Sequence, residues 1–358
     1  MAILLEKIIM HKAHQLFNPE YIKDYFKENI LPLYSQFSDI RKIKIIPHKK
    51  MIWEDEAYHI VSEYEVSFEE IIGDSKKVKK LPIFCSAHSH EKRYNVYESL
   101  RYLWDKGFNE GYRTIPKPLY FSQNFNAVFY RGVKGNNLYH YIKEHDFKSI
   151  EEVSAKTAKW FVKLHNLDTS DAKNFNPENS RILTVLPGKE HVLETIKNEE
   201  PYYLDLYKKA YDHFIKYEDE FLQKTDKHYL VHGDAHPENI IKMGAKKIAV
   251  IDFTDLCLGD FARDIGTFLQ QISYMADRKI NDKDYSLKLQ HIFLDNYFDS
   301  AKIKLDDNLK RRISNYYHWT ALRTATFLLM GTYYHPQRAK DLLESLSSSY
   351  TELIKVFK

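Results

Sequence analysis

At 358 residues the chain exceeds one typical domain of roughly 100–150 residues, so two domains or one lobed enzyme are the leading expectations. Hydrophobic residues at 44% and aromatics at 15% exclude a disordered chain, which lacks the apolar surface to offset its conformational entropy. The 53 basic and 50 acidic residues (net +3) exclude a dedicated nucleic-acid face, and two distant cysteines, Cys85 and Cys257, exclude a disulfide framework and point to a reducing compartment.

The opening MAILLEKIIMHK is apolar but broken by Glu6, and it lacks a basic lead and a small-residue cleavage site, so no export signal is expected. A helix follows in NPEYIKDYFKENILPLYSQF. The run IRKIKIIPHKKMIWEDEAYHIVSEYEVSF, rich in Ile, Val and Tyr with alternating polarity, predicts two strands. KKLPIFCSAHS predicts a third, after the turn signal GDSKK. EKRYNVYESLRYLWDKGF then places Tyr94, Tyr97, Leu100, Leu103 and Trp104 at helical spacing, with Gly107 as a stop. IPKPLYF and AVFYRGV read as two more strands, so an antiparallel sheet of about five strands with one packed helix is expected before residue 132.

From KGNNLYHYIKEH onward the periodicity is mostly helical. The composition shift at Gly132–Gly135 reads as a short hinge between an N-lobe of residues 1–131 and a C-lobe of residues 132–358. One late segment, TALRTATFLLMGTYY, is strongly apolar but carries Arg323 and falls short of the roughly 20 residues that span a bilayer, so no membrane role and a cytoplasmic location are expected. The exception to the helical pattern is YLVHGDAHPENIIKMGAKKIAVIDF, residues 229–253. Its short strands leave His232, Asp234, His236, Glu238, Asn239 and Asp252 on strand ends and loops.

Carboxylate and amide oxygens are hard ligands that suit Mg²⁺, which keeps water and takes its remaining ligands from phosphate. Asn239 and Asp252 thus form an incomplete cage that a nucleotide finishes, and Asp234 is free to orient a substrate hydroxyl and accept its proton. A zinc site using His232, Asp234, His236 and Asp252 is the rival reading, but it leaves the five-residue spacing from Asp234 to Asn239 unexplained. That spacing equals the one in the protein-kinase catalytic loop.

HGDAHPEN followed by IDF resembles the aminoglycoside phosphotransferase and choline kinase family, a branch of the protein-kinase-like fold. GDFARDIGTFL resembles the family's segment after the metal aspartate, and LHNLD its Leu-His signature; the resemblance covers roughly residues 40–300. It implies an α+β, two-lobed fold with an antiparallel-sheet N-lobe and a mainly helical C-lobe, and an ATP- or GTP-dependent transfer of the γ-phosphate to a hydroxyl of a small molecule. Aminoglycosides, choline-like alcohols, amino-acid alcohols and sugars are all open as acceptors. Position by position, it implies Asp234 as base, Asn239 and Asp252 as Mg²⁺ ligands, and His232 and Asp264 as supports of the loop; a plain helix-capping role for Asp264 is the structural alternative. Hinge backbone around Arg131 and Val133 would bind the base of the nucleotide.

Two features depart from the pattern. Glu98 is placed to pair with a third-strand lysine, but the position falls near Cys85 or Ser86, and no Lys or Arg lies between Lys80 and Lys92. The segment IIPHKKMIWED, expected to form the nucleotide-covering turn, offers no glycine but does offer Lys49 and Lys50. These, or Arg93, are candidates to replace the missing charge. The departures open a second function class, a kinase-shaped nucleotide-binding protein with little catalysis. For a cationic acceptor, acidic and aromatic walls are expected, and Asp255 and Trp319 are the candidates.

Overall fold

The computed structural model describes residues 12–53, 57–73, 75–225, 227–330 and 334–358, so the N-terminal MAILLEKIIMH and the centre of the first hairpin turn lie outside the described residues. The chain forms two compact units, Met1–Lys134 and Gly135–Lys358.

The first unit opens with α1 (Pro19–Asn29), whose start is fixed by Pro19 and by the Asn18 side chain, which accepts from the amides of Glu20 and Tyr21 at 3.1 and 3.2 Å. Three long strands follow, β1 (Phe37–Ile52), β2 (Tyr58–Ile72) and β3 (Ser75–His88). Next come α2 (Arg93–Leu103), the two-residue β4 (Arg113–Thr114), β5 (Lys117–Ser122) and β6 (Ala127–Arg131). Five of these strands make one antiparallel sheet in the order β1-β2-β3-β6-β5. The two-residue period of a strand decides its faces: Ile60, Tyr64, Val66 and Phe68 of β2 and Ile83, Cys85 and Ala87 of β3 are buried in one core with Ile22 and Phe26 of α1. Val61, Glu63, Phe84 and Ser86 lie on the other, half-exposed face.

The strand β1 and the helix α2 differ from expectation. Lys49 and Lys50 are part of β1, opposite Val61 and Ile60, rather than of a turn, because pairing continues to Ile52 opposite Tyr58. In α2 the buried stripe is Arg93, Val96, Ser99, Leu100 and Leu103, whereas Tyr94 is exposed and joins Tyr97 against Phe121 of β5.

The second unit contains β7 (Asn136–Asn137), α3 (Leu138–Lys143), α4 (Phe147–His165), α5 (Lys189–Glu199), α6 (Leu204–Leu222), β8 (Tyr229–Val231), β9 (Ile240–Lys242), β10 (Ile248–Val250), β11 (Cys257–Gly259), α7 (Ala262–Ile280), α8 (Lys283–Ala301), α9 (Asp307–Met330) and α10 (Pro336–Ser349). Among the described residues no helix is long and apolar enough to cross a membrane. Helices α7 and α9 approach closely at Gly266, where an added Cβ would lie 2.6 Å from the Ile313 carbonyl oxygen. Two small ladders position the polar motif: β8 pairs with β11, Val231 opposite Cys257, and β9 with β10, Ile240 opposite Val250. The loops 232–239 and 251–256 therefore each run from one ladder to the other and lie side by side.

Candidate active site

Gly233 turns the first loop. Its φ of +82° is costly for a residue with a side chain, and an added Cβ would lie 2.5 Å from the Asp255 carbonyl oxygen, so only glycine fits where the two loops meet. The loop backbone is held from α7. The fully buried Asp264 accepts from the amides of His232 and Gly233 at 2.7 and 3.0 Å, and the adjacent Arg263 donates to the Gly233 carbonyl at 3.1 Å. Asp264 also receives His165 Nε2 at 3.1 Å, and His165 Nδ1 lies 2.8 Å from the Tyr297 hydroxyl. Its carboxylate thus binds the loop. The α7 amide at Ala262 is met instead by Asp260, at 3.0 Å.

His232 joins the loops. Its Nδ1 accepts from the Asp234 amide at 3.3 Å and its Nε2 donates to the Ile251 carbonyl at 3.0 Å, so both ring nitrogens are engaged and neither offers a lone pair to a metal. Among the described residues no group of three His, Cys, Asp or Glu side chains is arranged to hold a metal ion. Asn239 donates through Nδ2 to the backbone carbonyl and Oδ2 of Asp234, at 3.0 and 3.3 Å, which directs its amide oxygen away from that residue. Asp252 is exposed, adopts a left-handed φ of +64°, and accepts the Thr254 hydroxyl at 2.8 Å. An amide oxygen and a carboxylate on adjoining loops are a hard, incomplete donor set of the kind Mg²⁺ shares with phosphate and water.

The Asp234 side chain is 41% exposed, with Oδ2 3.2 Å from His236 Nε2. Burial pushes its carboxyl up, but the His236 hydrogen bond and the charges of His236 and Arg323 outweigh this and hold it well below the usual carboxylate range. Burial would lower the His236 imidazole, yet the same bond and the charges of Asp234, Glu238 and Asp252 raise it. Asp234 opens on a cavity of about 360 Å³ walled by Asp255, by Thr267 and Gln271 of α7, and by Trp319, Arg323 and Phe327 of α9. Asp255 is pushed up, first by burial. Trp319 is 2% exposed and lies between the guanidinium groups of Arg263 and Arg323, 5.4 and 5.5 Å from its ring.

The structure thus brings Asp234, Asn239, Asp252, Asp255, His232, Asp264 and Trp319 into one neighbourhood. The first unit holds Lys49, Lys50, Glu98, Arg131 and Val133. Lys50 Nζ lies 4.6 Å from the centre of the Phe17 ring, and Lys49 faces His59, which burial, then Lys49, Arg93 and His88, push down to about 4. Glu98 lies opposite the buried stripe of α2, 3.8 Å from Arg101 of the same helix. Arg131 is paired on both sides, to Ile83 and Lys117, and Val133 follows beyond the sheet. Arg263, Arg323 and the pairing of His165 with Asp264 escaped sequence reasoning. For His165 a signal was present in LHNLD, whereas nothing local marks the two arginines.

The sequence profile of the phosphotransferase enzyme family matches residues 80–298. No curated protein matches significantly. Among solved structures, the chain is similar to spectinomycin phosphotransferase bound to ADP and spectinomycin (13% identity, 92% of this chain and 94% of that one, TM-score 0.52). It is also similar to an ethanolamine kinase of Plasmodium vivax (15%, 85% and 81%, 0.53) and to a choline/ethanolamine kinase family protein of Mesorhizobium loti (12%, 94% and 96%, 0.54). At these identities the likeness shows the fold, a protein-kinase-like one with an antiparallel-sheet N-terminal part and a mainly helical C-terminal part.

Proposed function

The chain belongs to the phosphotransferase enzyme family, and from that premise we propose that it moves the γ-phosphate of ATP or GTP to a hydroxyl of a small molecule. The observation that carries this reading is Asp234: a carboxylate kept ionised by His236, on a loop anchored by Asp264, at the mouth of a cavity. The acceptor oxygen forms a bond to the γ-phosphorus while the bond to the β–γ bridging oxygen breaks and leaves the nucleoside diphosphate. The hydroxyl proton passes to Asp234. Asn239 and Asp252 would hold Mg²⁺, which when bound neutralises charge on the phosphates. Lys49 supplies positive charge toward the phosphates, and backbone at Val133, more than at the doubly paired Arg131, serves the base.

Asp234→Asn should lower kcat by at least about 10²-fold while leaving the nucleotide Kd unchanged, because proton acceptance matters in the transition state. A variant that keeps most of kcat would remove Asp234 as the base. Asp252→Ala should weaken Mg²⁺-nucleotide far more than metal-free nucleotide; equal losses would contradict its role as a ligand. A second reading, nucleotide binding with little turnover, is favoured by two observations: no Lys or Arg lies between Lys80 and the end of β3, and Glu98 is near Arg101 of its own helix. Formation of ADP from ATP and Mg²⁺ with a panel of alcohols separates the two.

A further inference from the structure

The cavity beside Asp234 has polar walls, but much of that polarity is already used. The hydroxyls of Thr267 and Thr320 lie 3.0 Å apart, Thr320 donates to the Tyr316 carbonyl at 2.8 Å, and the Gln271 amide donates to the Thr324 hydroxyl at 2.9 Å. Arg323 is different. It has five N–H donors; among the described residues its Nη2 donates to the Leu186 carbonyl at 2.9 Å, and its buried Nε has no partner. The rings of Trp319 and Phe327, 5.5 and 5.6 Å from the guanidinium carbon, fix its plane. Burial, then the nearby charge of Arg263, lower its pKa despite Asp234 and Asp255, so its charge is under-compensated.

We propose that the phosphate acceptor carries an oxyanion, bound by Arg323 from α9, together with the hydroxyl that Asp234 deprotonates. This rests on the phosphotransfer reading and narrows its substrate class to small hydroxy acids or phosphorylated alcohols. A planar guanidinium with spare donors meets a carboxylate or phosphate through two parallel hydrogen bonds, which an ammonium or neutral alcohol cannot accept. A cavity of about 360 Å³ lies at the small end of ligand pockets.

The test offers the full-length protein, with ATP and Mg²⁺, a panel of three- to six-carbon hydroxycarboxylates, phosphorylated alcohols of the same size, the matched hydroxyamides and quaternary-ammonium alcohols. ADP formation and the ligand-induced rise in Tm are both read. Anionic members should be phosphorylated and should raise Tm, and whichever of the two anionic classes responds identifies the oxyanion. Arg323→Gln should raise their KM about 10- to 100-fold and remove the Tm rise, with Arg323→Lys recovering only part, as expected for a charge-assisted pair. The inference is overturned if hydroxyamides or ammonium alcohols serve as well as the acids, or if no anionic member binds or reacts. Arg323-dependent protection by the acids without any ADP formed would support the anion site and sink the phosphotransfer reading instead. If Arg323→Gln does not fold, Arg323→Lys and the wild-type preference for acid over amide still decide.

Discussion

Asp264, itself fully buried, accepts from the His232 and Gly233 amides and from His165 at once. Burial pushes this carboxyl up, but the hydrogen bond and charge of His165 and the hydrogen bond from the His232 amide outweigh it and hold it below its ordinary range. Asp264→Asn keeps the shape and removes the charge and one acceptor, so it should cost on the order of 3 kcal/mol, read as a lower urea midpoint. An unchanged midpoint would mean that the loop holds itself. Strand pleating separates the two lysines of β1: Lys50 lies over Phe17, whereas Lys49 faces His59. Lys50→Ala should therefore leave the nucleotide Kd unchanged, and Lys49→Ala should raise it severalfold. The reverse order, measured by calorimetry, would put the phosphates on the opposite face of the sheet.

At the scale of elements, Glu218 ties α6 to its neighbours. It accepts the Ile182 amide at 2.9 Å and the Tyr316 hydroxyl of α9 at 2.9 Å, with Arg181 Nε 3.5 Å away. Burial pushes its carboxyl up to about 7 against these hydrogen bonds and Arg181. The folded state thus holds the proton more tightly than the unfolded chain, whose carboxyl titrates near 4.5. The contribution is fully present below about pH 4.5 and is lost as pH rises through about 7, a change on the order of 3 kcal/mol. Denaturant curves across that window should slope for the wild type and flatten for Glu218→Gln; equal slopes would leave Glu218 without this role. Periodicity made the strands of the first unit and the helices of the second legible, and HGDAHPEN with IDF showed which loop residues belong together. What periodicity did not show was which of four consecutive residues of α9, Tyr316 to Trp319, faces the loop some 80 positions earlier, because that depends on where α7 and α9 touch. In α2 the apolar spacing pointed to Tyr94 and Tyr97, but burial of the polar Arg93 and Ser99 rotated the stripe.

For the whole molecule, each unit carries one cysteine with no exposed surface, Cys85 in the first and Cys257 in the second, and burial raises both thiols, Cys257 to about 11. Thiol reagents should label neither in the native protein and both in denaturant. Following the two sites separately by peptide mass gives an unfolding signal for each unit: coincident labelling marks one cooperative transition, and separate midpoints mark two. Native labelling of either cysteine would contradict its burial. The neighbours Arg263 and Asp264 grip the two sides of the same turn, one at the Gly233 carbonyl and the other at its amide. A helix advances about 100° per residue. Inserting or deleting a single residue early in α7 would swing both side chains off the turn together, whereas lengthening the surface loops between later helices would leave them in phase. Drift in this lineage is therefore expected to change the length of loops outside α7 far more readily than the position of Arg263 and Asp264 within the first turn of that helix.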